Sequence, residues 1–468
     1  MNPNSLHIIS QNSRAENLRA ILVFLGWGMD AVPFRSLAKP GYDVIVAYDY
    51  SAGEPALDAR LARYREVVVV AWSFGVRAAA DFLRSTHLPV SRTIAVNGTE
   101  SHIDDRNGIP EAIFRGTLDG LSERTVEKFR RRMCGSADAY SRFCERLPER
   151  PFESLKAELE AFAAEKPLKH SVPWSLALVG DSDMIIPTRN QLNFWGETNR
   201  RILRDTPHLV DLQQVIDLYV VDKELVASRF GRAVKSYTGN AAVQEECAHR
   251  LSDALVANIS ETSSFDNVLE VGVGQGTLTA FYTPKIRYKE LYLCDIAPMD
   301  ATALPAAAHL IQGDAELEIL RFAPGSLDLI LSSSALQWFN SPPEFIRNAA
   351  TRLAPGGVIA LSYFTPETLT EVSSITGISL DYPSHSTLVE TVERSGLKPL
   401  THAAYRLQAD FDSPLGALRH LQSTGVNAIC RNGSANRAAL KLLRNLPAQP
   451  DGKCSLTYAA AYIIAKKI

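Results

Sequence analysis

Four consecutive valines, Val67-Val68-Val69-Val70, run through Ala71-Trp72 into Ser73-Phe74-Gly75 and then Arg77-Ala78-Ala79-Ala80-Asp81-Phe82-Leu83. An unbroken β-branched run reads as a strand covered on both faces, which is the habit of a parallel sheet. The alanine-rich stretch reads as a helix. A buried strand joined to a helix through a tight turn places whatever stands at the apex clear of the sheet. Here that residue is Ser73. The spacing G-x-S-x-G of a strained nucleophile turn is met except at its first position, where Ala71, the smallest substitute, stands for glycine.

The rest of the first half supplies what such a serine needs. Ala20-Ile21-Leu22-Val23-Phe24-Leu25 reads as a buried strand ended by Gly26-Trp27-Gly28, and Asp43 to Asp49 as another. In an α/β-hydrolase, one oxyanion-hole N–H comes from a loop after an early strand and the other from the residue after the nucleophile. That makes the backbones of Trp27 and Phe74 the candidates. The fold orders its triad serine, acid, histidine. Ser175 to Val179 reads as a late strand, followed by Gly180-Asp181-Ser182-Asp183-Met184-Ile185-Ile186-Pro187. Asp183 is preferred to Asp181 as the acid, on its G-x-x-D-x-x-x-P spacing. His208, after a last strand at Arg201-Ile202-Leu203, is the base. About a hundred residues separate Ser73 from the acid, and their helical, arginine-rich stretch at about 109–165 is expected to form a lid.

The second half opens on a helical run from Asp222 to Tyr237, which places a domain boundary at 220/221, with a further helix from Ala241 to Leu255. Asn267-Val268-Leu269-Glu270-Val271-Gly272-Val273-Gly274-Gln275-Gly276-Thr277 is a strand entering a glycine turn and a helix, a motif shared by several nucleotide-binding folds. Its companions resemble those of S-adenosylmethionine (SAM) methyltransferases rather than nicotinamide-binding folds. Glu270 opens the motif as in those methyltransferases, Asp295 closes the next strand where a carboxylate can take ribose hydroxyls, and Asp314-Ala315 follow His309 to Gly313, placed as in methyltransferases to contact adenine. Leu327 to Ser334 and Leu353 to Leu361 supply further strands. The cofactor-binding candidates are therefore Glu270, Gly272, Gly274, Gly276, Asp295, Asp314 and Ala315. The expected architecture is α/β throughout: an α/β-hydrolase with a helical lid over 1–220, then a class I, Rossmann-like SAM-dependent methyltransferase over 221–468.

Composition excludes little but excludes it usefully. A formal net charge of −3 gives no whole-chain electrostatic case for nucleic acid or an anionic membrane. The six cysteines, Cys134, Cys144, Cys247, Cys294, Cys430 and Cys454, include no CxxC pair, so no metal cage is expected. No apolar run approaches a membrane span, and the first residues do not read as a signal peptide. The expected location is cytoplasmic.

Two resemblances add substrates. Leu25-Gly26-Trp27-Gly28, Ala47-Tyr48-Asp49-Tyr50, Val70-Ala71-Trp72-Ser73, Ala95-Val96-Asn97-Gly98-Thr99, Phe114-Arg115-Gly116-Thr117-Leu118, Phe129 to Gly135 and Arg150-Pro151-Phe152 resemble the BioG family of biotin-synthesis esterases. The resemblance implies hydrolysis of pimeloyl-[acyl-carrier protein] methyl ester, and supports Ser73, His208 and Asp183. Phe230-Gly231-Arg232-Ala233 with Tyr237, and Ser334-Ala335-Leu336-Gln337-Trp338, resemble BioC, the malonyl-[acyl-carrier protein] O-methyltransferase. This second likeness fades beyond residue 365, where Asp381-Tyr382-Pro383-Ser384 and Arg419-His420-Leu421 are expected to belong to a substrate lid. Together they imply one chain that caps the carboxyl of malonyl-[acyl-carrier protein] with a methyl group from SAM and later uncaps the pimeloyl ester. The lid is expected to spare the malonyl ester, since cleaving it at once would be a futile cycle. Rival readings are a general esterase or thioesterase, a catalytically dead carrier-protein docking module, or a methyltransferase acting on another small acceptor such as a quinone precursor.

Overall fold

The computed structural model describes residues 6–10, 18–52, 58–166, 168, 170–196, 198–237, 241–260, 264–376, 379–423, 434–447 and 452–468. Cys430 lies outside them. The chain forms two compact units, Met1–Val220 and Val221–Ile468.

Unit 1 holds a seven-stranded sheet built from β1 (Leu6–Ser10), β2 (Arg19–Phe24), β3 (Asp43–Ala47), β4 (Glu66–Trp72), β5 (Val90–Val96), β6 (Leu176–Gly180) and β7 (Arg200–Leu203). Their order is β1-β3-β2-β4-β5-β6-β7, with β1 antiparallel to β3 and the other pairs parallel. The valine run sits in the middle of this sheet, every residue of β4 buried. Alternate residues enter opposite cores: Val67, Val69 and Ala71 pack with Leu22 and Phe24 on one face, Val68, Val70 and Trp72 with Ile21 and Val23 on the other. Two apolar faces explain why the run shows no polar alternation.

The strands end almost level. Phe24 pairs with Ala71, Trp72 with Val96, and Gly180 with Leu203. The chain beyond each end stays tied to its neighbour, Ser73 N–H donating to Val96 O (3.0 Å) and Asn97 N–H to Leu178 O (2.9 Å). Between β5 and β6 lie four helices, Glu111–Asp119, Glu123–Cys134, Ala137–Cys144 and Phe152–Ala164, within the stretch expected to form a lid. The Ser122 capping box starts the second of them, and Gly135, at φ 72°, ends it.

Unit 2 holds a second seven-stranded sheet: β8 (Ser264–Val271), β9 (Arg287–Asp295), β10 (His309–Gln312), β11 (Leu327–Ser333), β12 (Leu353–Phe364), β13 (Leu397–Phe411) and β14 (Cys454–Lys467). The order β10-β9-β8-β11-β12-β14-β13 starts the chain in the middle and winds it outward both ways. The reversal between β8 and β11 is a topological switch point, where such sheets open a crevice for ligands. Strand β14 lies antiparallel between β12 and β13. The region beyond 365, read from sequence as substrate cover, thus also completes the sheet. Strand β14 is buried along most of its length, whereas β13 alternates and lies at the edge.

The turn after β4 has little spare volume. A Cβ at Gly75 would lie 2.3 Å from Phe24 O. Gly75→Ala is expected to destabilise unit 1 by about 3 kcal/mol or more, since backbone, not a side-chain tip, must yield. Thermal unfolding checks it; an unchanged midpoint would contradict this packing.

Candidate active sites

Ser73 carries a left-handed backbone, φ 58°, a conformation that costs a residue with a Cβ. It is 5% exposed. Gly26 lets the loop after β2 close over it: a Cβ there would stand 2.9 Å from Ser73 Cβ. His208 Nε2 lies 2.8 Å from Ser73 Oγ, and His208 Nδ1 lies 2.8 Å from Asp183 Oδ2. Asp183 is oriented in turn by N–H groups of Ile185 (2.8 Å) and Ile186 (3.0 Å) on Oδ1, and by Gln191 Nε2 (2.8 Å) on Oδ2. Asp181 is exposed and caps its own turn, its Oδ1 accepting from Ser182 Oγ. The structure therefore brings Ser73, His208 and Asp183 into one hydrogen-bonded line and leaves Asp181 outside it.

Trp27 and Phe74 line the same cavity as Ser73, a space of about 360 Å³ roofed by the lid, with Ile109, Phe114, Phe129 and Leu159 among its walls. Among the described residues, neither the Trp27 nor the Phe74 backbone N–H has a hydrogen-bond partner. The Trp27 indole anchors the lid, donating to Leu155 O (2.8 Å) and meeting the Phe129 ring edge-on at 4.9 Å.

Two supports escaped sequence reasoning. Asn97, φ 43°, donates through Nδ2 to Pro207 O (2.8 Å) and His208 O (3.0 Å) while its Oδ1 accepts Gly180 N–H (2.7 Å). It fastens the histidine loop to the ends of β5 and β6. Trp72 Nε1 adds a third bond, 2.8 Å, to His208 O. In sequence the Asn97-Gly98 pair is a turn signal within a stretch that resembles BioG, with no role assigned to it. The second support is a buried charge cluster. Glu158 accepts from Gly28 N–H (3.2 Å) and Tyr50 N–H (3.2 Å), and pairs with Arg150 at 2.6 Å. Arg150 also reaches Asp49 at 3.0 Å. Burial pushes the Glu158 carboxyl up, with Arg150 pulling against it. The cluster ties a lid helix to the loops after β2 and β3, from residues 100 apart in sequence or more.

In unit 2 the glycine turn has the backbone its residues suggest: φ is 72° at Gly272, 56° at Gly274 and 76° at Gly276. A Cβ on Gly272 would lie 2.3 Å from Ala335 Cβ, so this glycine sets the approach of the β8 and β11 loops. Gly272, Gly274, Asp295, Asp314 and Ala315 line one cavity of about 120 Å³, with Phe230, Ser334 and Trp338. Glu270 and Gly276 do not. Glu270 is buried beneath the turn, accepting from Thr279 Oγ1 (2.7 Å), and burial raises its pKa to about 7. Gly276 caps the helix Thr277–Tyr282.

The residues present fit SAM. A Cβ at Gly274 would meet no atom within 4 Å, so its backbone forms an open floor to the cavity. Asp295 accepts Gly274 N–H (2.8 Å) on one oxygen and Ala297 N–H (2.7 Å) on the other, which leaves lone pairs for a ligand diol. Burial pushes its carboxyl up while these N–H groups pull it down. Asp314 is held by Lys223, whose Nζ lies 3.1 Å from it, 2.6 Å from Glu316 and 3.0 Å from Trp338 O. Nothing in sequence marks Lys223, a lysine at the start of a helix. Among the described residues there is no cluster of metal-ligating side chains and no helix long and apolar enough to cross a membrane.

Fold and sites together define a two-headed enzyme, an α/β-hydrolase joined to a Rossmann-like SAM-dependent methyltransferase. A family model described as pimeloyl-ACP methyl esterase BioG matches residues 7–211, and a methyltransferase-domain model matches residues 269–361. The malonyl-[acyl-carrier protein] O-methyltransferase of Bacteroides fragilis is 38% identical over 464 residues, covering 96% of this chain and 93% of that protein. The enzyme so named from Haemophilus ducreyi is 34% identical over 228 residues, covering 47% of this chain and 86% of its own. The crystal structure of BioG from Haemophilus influenzae shares 35% identity, covering 41% of this chain and 90% of that one, with a TM-score of 0.39. The chain belongs to the malonyl-[acyl-carrier protein] O-methyltransferase family, in the long form that also carries a BioG domain.

Asn97→Ala is expected to lower kcat for ester hydrolysis about tenfold or more by loosening the His208 loop, with little change in KM. Steady-state turnover of a chromogenic ester checks it; unchanged kcat would show that Trp72 suffices.

Proposed function

We propose that unit 1 hydrolyses the methyl ester of pimeloyl-[acyl-carrier protein] and that unit 2 methylates the free carboxyl of malonyl-[acyl-carrier protein] with SAM. The observation that carries the first half is the Ser73–His208–Asp183 line opening onto an apolar, lid-covered cavity. Ser73 Oγ attacks the ester carbonyl as His208 Nε2 takes its proton, and the N–H groups of Trp27 and Phe74 hold the oxyanion. Collapse of the tetrahedral intermediate expels the methoxy group, which leaves as methanol with the proton from His208. Water, activated by the same imidazole, then frees the carboxylate and restores Ser73. Asp183 keeps Nδ1 protonated and the ring in plane with its task.

For unit 2, SAM supplies an electrophilic methyl group when bound. Asp295 would take its ribose hydroxyls, with Asp314 and Ala315 at the adenine, and Gly272 and Gly274 giving its backbone-close floor. The acceptor is already a carboxylate, so no general base is assigned, and alignment carries the rate. Methylation hides a charge that is costly to bury, which lets the capped primer pass through apolar elongation enzymes. The cavity over Ser73, about 360 Å³ with mostly aliphatic and aromatic walls and Lys128 and Arg132 among its lining, has room for a long apolar acyl chain, and this supports preference for the pimeloyl over the malonyl ester.

Mass spectrometry of pimeloyl-[acyl-carrier protein] methyl ester tests the uncapping half. Wild type is expected to remove one methylene mass and Ser73→Ala none. No loss with wild type would reduce unit 1 to a docking module or an esterase of other substrates.

A further inference from the structure

Beside the SAM cavity, unit 2 contains a smaller chamber of about 20 Å³. Phe230, Gln244, Ser334 and Trp338 line both spaces, so the two meet along one shared wall. The chamber's remaining walls include Gln337, Leu380 and Tyr382. Its polar groups are incompletely satisfied by the protein. The Oγ of Ser334 and the Oε1 atoms of Gln244 and Gln337 are buried without a hydrogen-bond partner. Gln244 and Gln337 are only 8% and 7% exposed. Each such orphan costs about 1–3 kcal/mol until met; the Ser334 hydroxyl can donate to a ligand, whereas the two amide oxygens only accept and call for water or an N–H. Tyr382, also buried, makes no hydrogen bond among the described residues, and burial raises its pKa far above that of an ordinary phenol, so it stays a donor.

We infer that this chamber is the carboxylate subsite of the methyl acceptor, with Ser334 Oγ and the Tyr382 phenol as its donors. The inference rests on the reading of unit 2 as a malonyl-thioester methyltransferase. Gln337 is the positioning residue: its Nε2 donates to Ser334 O at 2.6 Å and pins Ser334 in a left-handed conformation, φ 55°. No lysine or arginine lines the chamber among the described residues. That absence of cations suits a nucleophile. Neutral donors compensate the carboxylate for lost water, yet do not hold its lone pairs in a salt bridge that the transfer would have to break.

Ser334→Ala and Tyr382→Phe in the full chain remove one hydroxyl each without adding bulk. Each is expected to raise KM for malonyl-[acyl-carrier protein] tenfold or more; in Tyr382→Phe, whose side chain lies outside the SAM cavity, the affinity for S-adenosylhomocysteine, measured by calorimetry, stays within twofold. That binding measurement also reports that the variant is folded. Unchanged malonyl KM in both variants would overturn the subsite, as would a parallel loss of S-adenosylhomocysteine binding in Tyr382→Phe, which would assign that phenol to the cofactor. Failure of wild type to methylate malonyl-[acyl-carrier protein] at all would instead remove the reading on which the inference stands.

Discussion

Parallel strands deliver their following loops to one edge of the sheet, and both units are organised by that constraint. In unit 1 the loops after β2, β4, β5, β6 and β7 bring Trp27, Ser73, Asn97, Asp183 and His208 to one place. In unit 2 the loops after β8, β9, β10 and β11 bring Gly272, Asp295, Asp314 and Ser334 to another. The ladder bonds that continue one residue past the strand ends, such as Ser73 N–H to Val96 O and Gly272 N–H to Cys294 O, hold these loops to the sheet's own precision. Chemistry placed there inherits a rigid frame without needing side chains to build one.

What the frame does not fix, buried polar groups do. His208 is held at its carbonyl by Trp72 and Asn97 as well as at its ring by Asp183. The Arg150–Glu158–Asp49 cluster joins the lid to the loop carrying Trp27, so the roof of the cavity and the expected oxyanion donor are set by one network. In unit 2, Lys223 does comparable work for Asp314 and Glu316. Each cluster is costly to half-satisfy, because removing one member strands a buried charge. Such networks favour one arrangement of loops over others of similar apolar burial.

This division explains which parts of the molecule could be read from its residues. The βα crossings were legible because they are local: a double-faced apolar run, a small-residue turn and a helix lie together within about fifteen residues. Ser73, Gly272, Gly274 and Asp295 stand at such crossings. Asn97 and Arg150 stand in stretches that resemble BioG, but their roles, like those of Glu158 and Lys223, depend on partners far away in sequence, which no local pattern reveals. Glu270 shows the opposite case, a residue marked by its motif that the fold places beneath the cavity, against Thr279. Strand β13 exposes Lys398, Leu400, His402, Ala404, Arg406, Gln408 and Asp410 and half-buries Thr401, Tyr405, Leu407 and Phe411, an alternation that the sequence carries but that the likeness to BioC, fading beyond residue 365, did not point to. Strand β14 was missed because a buried alanine-rich run carries no periodicity.

Two chemistries held at two separate sheet edges are separable by single substitutions. The most direct test follows both reactions in two single variants, Ser73→Ala and Asp295→Ala, by intact mass of the acyl-carrier protein. The account predicts that Ser73→Ala keeps malonyl methylation and loses pimeloyl-ester hydrolysis, and that Asp295→Ala does the reverse. Hydrolysis surviving in Ser73→Ala, or loss of both activities in either folded variant, would contradict it.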